Sequence, residues 1–144
     1  MAFEHTRGTA FLKAKLAAAS AVTNIVQGRI YEMYRDPKSR TQRMPYIIIR
    51  PVNPRDLNTL SSITRRILTQ GIWDVRSVDL AGESRLATLA DAVDAALQGT
   101  SGTAGTDGYV YGCVREASID YDERDGDLLI RHVVGQYRLV VQIP

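Results

Sequence analysis

The chain has 144 residues, 44% of them apolar and 24% charged, near the globular average; that length predicts one domain over residues 1–144 and a core that closes without a metal or disulfide. Cys113 is the single cysteine, which excludes an intramolecular disulfide framework and every multi-cysteine zinc or iron–sulfur site. Net charge is +2, but residues 1–28 carry +2, residues 29–76 carry +6 and residues 77–144 carry −6, a balance that does not imply a globally basic nucleic-acid binder and suits either head-to-tail association or two ordinary solvated surfaces.

The first seven residues lack the apolar stretch of a signal peptide. No apolar run approaches the roughly 20 residues of a membrane span. A soluble protein made in the cytoplasm is expected, with no membrane partner. Thr9 to Val26 reads as one helix, because Leu12, Leu16, Ala19, Val22 and Val26 recur every three or four residues. Thr6 or Thr9 is placed to cap it and Gly28 to end it. Arg29 to Met44 is basic and broken by Pro37, with Ile30, Tyr31 and Tyr34 marking a short ordered stretch. Pro45 to Val52, with three consecutive isoleucines, is the clearest strand. Asn53, Pro54 and Asp56 predict a turn after it.

Ser61 to Asp79 alternates as an extended segment, with Gly71 read as a bulge. Glu83 to Leu97 is a second helix on Leu86, Leu89, Ala90, Val93, Ala96 and Leu97, capped by Asp79 or Ser84. Tyr109–Tyr121 and Leu128–Ile143 read as two strands joined by an Asp125-Gly126 hairpin signal. Flexible loops are expected at about 35–44, 53–62 and 99–108. The order predicts an α+β domain: a mostly antiparallel sheet of about four strands with two helices packed on one face.

No motif supports catalysis or a cofactor. The acidic stretch Asp120, Asp122, Glu123, Asp125, Asp127 departs from a calcium loop at three positions: Arg124 stands fifth, Asp125 sixth and Arg131 twelfth. It reads instead as a solvated turn or a charged docking surface. The glycine-rich segment 99–108 has no lysine and follows a helix, so it is no phosphate loop. Cys113 within an apolar strand reads as a buried thiol, and Ser84 lacks a nucleophile elbow. His132, flanked by Ile130 and Val134, reads as a packed or surface histidine. The basic run of residues 29–43, with Tyr31 and Tyr34, suits phosphates, solvent or the acidic hairpin of another copy.

The chain resembles the tail terminator (tail completion, head–tail joining) proteins of long-tailed bacteriophages. The resemblance is carried by an Ala-rich first helix ending near Val26-Gln27-Gly28-Arg29-Ile30-Tyr31, then Pro45-Tyr46-Ile47-Ile48-Ile49 and Trp73-Asp74-Val75-Arg76-Ser77-Val78-Asp79. It continues through Leu89–Leu97, Tyr121-Asp122 and the final strand Arg131–Gln142. It implies a non-enzymatic virion protein without cofactor, forming a hexameric ring on the head-proximal end of the tail tube. Such a ring ends tube growth, binds the tube protein below and a head-closure or neck protein above, and lets DNA pass without sequence-specific binding. The alternatives are a head-closure or other neck or tail-tube component, or a small nucleic-acid-binding protein using residues 29–43. Candidate contact residues are Arg50, Arg55, Arg65, Arg66, Asp120, Asp122, Glu123 and Asp125. Charge reversal at Asp122 and Glu123 is expected to weaken assembly more than stability.

Overall fold

The computed structural model describes residues 2–32, 44–57 and 68–142. Three helices, α1 (Ala2–Ala18), α2 (Ser20–Val26) and α3 (Arg85–Leu97), accompany six strands: β1 (Ile30–Glu32), β2 (Tyr46–Leu57), β3 (Leu68–Leu80), β4 (Gly102–Ala104), β5 (Gly108–Asp125) and β6 (Leu128–Gln142). The strands form one sheet in the order β1-β2-β3-β6-β5-β4. The β1–β2 pair is parallel and the other pairings are antiparallel.

The architecture corrects the expectation of a mostly antiparallel four-stranded sheet with two helices. It is a mixed, six-stranded half-barrel with three helices. Three local causes account for the difference. First, Ala19 adopts an extended conformation (φ −86°, ψ 106°) and splits the first helix in two. The interruption lasts one residue, so Leu12, Leu16, Val22 and Val26 still reach one core and the three-to-four spacing runs on across the break. Second, Ile30–Glu32 is a strand, lying parallel to Ile47–Ile49. Third, the glycine-rich loop contains β4, with Gly102, Thr103 and Ala104 opposite Val110, Tyr109 and Gly108.

Two turn assignments also change. β2 does not stop at Asn53 but continues to Leu57, opposite Leu68. Beyond Ile49 it is an edge strand among the described residues, where Pro51 and Pro54 sacrifice least hydrogen bonding. The bulge lies between Pro51 and Asn53, while Gly71 pairs in register with Pro54 and Leu139. Of the loops expected at 35–44 and 53–62, residues 35–43 and 58–62 lie outside the described residues.

Register sorts the strands onto two faces. One face presents Ile47, Ile49, Trp73, Val75, Cys113, Tyr137, Leu139 and Val141 to the helices, which supply Phe11, Leu12, Leu16, Val22, Leu86, Leu89, Val93 and Leu97 to the same core. The opposite, open face holds a smaller cluster around Tyr46, Val78 and Ile130. Thr9 does not cap a helix; it sits within α1 and its hydroxyl accepts the Trp73 indole N–H at 3.2 Å. One turn of that helix is pressed so closely on the indole that a Cβ on Gly8 would lie 2.3 Å from Trp73. Gly8→Ala gains about 1 kcal/mol of helix propensity but overpacks a rigid ring, which costs about 1–3 kcal/mol. A net loss of stability is expected in urea unfolding; a gain would show that α1 can lift off the ring freely.

Candidate assembly interface

β5 is unusual within this fold. After Cys113, nine consecutive residues, from Val114 to Asp122, are exposed whichever face they occupy. β4 pairs with β5 only as far as Val110. The C-terminal end of α3 then covers a little more of the outer edge. The Gly99 N–H donates to the Cys113 carbonyl at 2.8 Å, and the Arg115 N–H donates to Gln98 Oε1 at 2.8 Å. From Glu116 to Asp125 no other strand among the described residues pairs with the outer side of β5. An open edge usually carries protective charge or proline. This one does carry acids, but Val114, Ile119 and Tyr121 are interleaved with them, each at least 39% exposed.

The hairpin tip brings four of the candidate residues together. Gly126 (φ +62°) and Asp127 make the two-residue turn that lets Asp125 pair with Leu128. On the helix face, Arg131 Nε lies 3.2 Å from Asp122 and 3.5 Å from Asp120. On the open face, Glu123 Oε2 lies 2.7 Å from Nε2 of His132, whose side chain is only 3% exposed. The His132 ring stacks on Tyr121 (centroids 4.6 Å, 6° between planes). The Arg76 guanidinium lies 5.7 Å from the Tyr121 centroid. Glu123 is thus tied to a buried histidine, and reversing its charge is a stability variant as much as a surface one. Asp120 and Asp122, half-exposed partners of a half-exposed arginine, are the cleaner assembly probes.

Arg50 and Arg55 are placed elsewhere. Arg50 lies on β2 across the sheet, its Nη2 3.3 Å from Asp74 Oδ2, while Gln136 Nε2 donates to Asp74 Oδ1 at 3.1 Å. Arg55 lies further along β2, opposite Gln70. Arg65 and Arg66 fall outside the described residues. Sequence reasoning passed over Arg131, Tyr121 and Arg76 as members of the cluster. Only cross-strand register brings them in: Asp122 opposite Arg131 and Tyr121 opposite His132 between β5 and β6, and Arg76 opposite Val134 between β3 and β6.

Cys113 is fully buried, and its thiol is pushed up to about 12 by burial first and by the nearby Asp94 carboxylate second. Tyr137 is also raised, chiefly by burial and then by the 2.9 Å hydrogen bond its hydroxyl donates to Asp94. At pH 8 a thiol reagent is expected to leave Cys113 unlabelled until the protein is unfolded; rapid native labelling would contradict this packing. Among the described residues, no group of three or more His, Cys, Asp or Glu side chains is placed to hold a metal ion. No helix among them is long and apolar enough to cross a membrane.

A long-stranded sheet with unlike edges, backed by helices on one face, defines a subunit with an exposed strand edge rather than a pocket. Residues 11–142 match the family described as tail completion protein gp17. The chain therefore belongs to that family and is a structural protein of a phage-type virion tail. Its fold is similar to that of a chain in a solved structure described as the virion of a native gene transfer agent particle, with TM-score 0.71, 18% identity and 91% of each chain covered. A second solved structure is similar at TM-score 0.52 and 15% identity, over 95% of this chain and 92% of that one. No curated protein matches.

Proposed function

We propose that this protein closes into a hexameric ring on the head-proximal end of a tail tube, ends tube growth there, and offers its other side to a head-closure or neck protein. The observation that carries this reading is the family match over residues 11–142. The geometry adds a physical reason. A ring needs a heterologous contact between two different patches of one subunit. This subunit has two unlike edges, one bounded by β1 and β2 and the other by β5 and β4. Termination is then steric: one side mimics a tube subunit and binds the last tube ring, and the other side gives the next tube subunit no partner. DNA passes through the lumen, where acidic side chains would avoid holding the phosphates. Synthesis belongs to the host cytoplasm and residence to the virion.

Native mass spectrometry across a concentration series, with negative-stain imaging in the presence of tail tubes, tests the reading. Hexameric rings seated on tube ends are the expected result. A monomer that ignores tubes and binds duplex DNA with a steep salt dependence would overturn it in favour of nucleic-acid binding.

A further inference from the structure

We infer that the open edge of β5 pairs antiparallel with β1 of a second copy, so that one continuous sheet runs from subunit to subunit. The inference rests on the ring reading above and specifies its contact. Three observations carry it.

The first is strand sense. β2 runs antiparallel to β3, β3 to β6 and β6 to β5, so β5 runs opposite to β2; β1 is parallel to β2. A neighbour related by rotation about an axis along the strands places its β1 beside β5 with opposite sense. That is the same antiparallel pairing that β5 already makes with β6.

The second is level. Reading the register across the sheet, Ser118, Ile119 and Asp120 of β5 lie opposite Gly135, Val134 and Val133, which lie opposite Val75, Arg76 and Ser77. Those lie opposite Ile49, Ile48 and Ile47, which lie opposite Glu32, Tyr31 and Ile30. The uncovered stretch of β5 and the edge strand β1 therefore sit at one height, and a level ring brings them together without a slip. Faces match as well: Ile119 and Tyr31 both lie on the open face, and the helices of both copies stay on one side. The Arg50–Leu57 edge of β2 fails this comparison. It lies at the height of Tyr109 to Ala117, where β4 covers β5 from Gly108 to Val110 and the end of α3 covers it at Cys113 and Arg115.

The third is surface chemistry. The β5 edge carries half-exposed Ile119 and Tyr121 among Asp120 and Asp122. Arg29 immediately precedes β1 and stands at the level of Tyr121, its Nε donating to the Pro45 carbonyl at 2.9 Å and its Nη1 3.3 Å from Gln27 Oε1. A copy seated on the β5 edge would cover its apolar side chains.

A double variant, Glu32→Cys with Ser118→Cys, tests the pairing. Both positions are exposed, and both lie on the helix face. Within one chain they stand four strands apart, about 19 Å along the sheet, too far for the roughly 4.4–6.8 Å Cα separation of a disulfide. Mild oxidation of the assembled protein is expected to give a ladder of covalent oligomers on non-reducing gels, absent from either single variant. In the unmodified protein, amide exchange in Glu116–Asp122 and Ile30–Glu32 is expected to slow by about tenfold or more on assembly. Oligomers that form without cross-links and without this protection would overturn the β1–β5 contact and leave the ring standing. A chain that remains monomeric even on tail tubes would overturn both.

Discussion

Trp73→Ala is expected to lower unfolding free energy by about 3–5 kcal/mol, a large part of the roughly 5–15 kcal/mol that holds a domain together. The indole is completely buried in the middle of β3 and joins the sheet to α1 in two ways. Its ring fills the space that a side chain on Gly8 would need, and its N–H is satisfied by Thr9. Truncation empties the largest fully buried side chain beneath α1. Trp73→Phe keeps much of the ring volume and removes the donor; the Thr9 hydroxyl can then turn to a helix carbonyl, so a loss of about 1–2 kcal/mol is expected. Chemical denaturation read by circular dichroism separates the two, since the midpoint should shift with little change in slope. A Trp73→Ala loss under about 1 kcal/mol would mean that α1 collapses onto the sheet without cost.

The same residues show what the sequence could reveal. Helix α3 and the long strands β5 and β6 were legible because amphipathic period and turn chemistry are local: Leu86, Leu89, Val93 and Leu97 are all buried, and Gly126 provides the turn conformation the hairpin needs. The break at Ala19 was illegible because a one-residue interruption preserves the spacing on either side of it. β1 and β4, each three residues long, are too short to show a period, and they exist because β2 and β5 offer them partners. The family resemblance was readable, since the motifs that carry it span most of the chain, and the match over residues 11–142 supports it. The candidate contact set was readable only as charge. That Glu123 holds a buried histidine, that Arg131 bridges Asp120 and Asp122, and that Arg50 is engaged by Asp74 depend on cross-strand register, which no local pattern encodes.

The second large effect is expected at Asp79, whose carboxylate is fully buried at the end of β3. It accepts from the Leu80 N–H at 2.8 Å and from Arg85 Nε and Nη2 at 2.6 and 3.1 Å. It thereby fixes the first residue of α3, whose N-cap residue Ser84 makes no side-chain capping hydrogen bond. Removing one partner of a buried charge pair costs about 3–5 kcal/mol. Arg85 is 45% exposed and can regain water, so about 2–3 kcal/mol is the expected loss for Asp79→Ala. Asp79→Asn, which keeps one acceptor oxygen, should lose about half as much. The consequence reaches the assembly edge through the rigid length of α3. The far end of that helix supplies Gln98 and Gly99, which cover β5 at Arg115 and Cys113. Loosening α3 lengthens the uncovered edge from ten residues toward thirteen, and a longer open edge invites pairing with the wrong strand. Asp79→Ala is therefore expected both to unfold at lower denaturant and to scatter light at lower temperature than Asp79→Asn. Equal behaviour of the two variants would show that water replaces the carboxylate and that α3 is held by its apolar face alone.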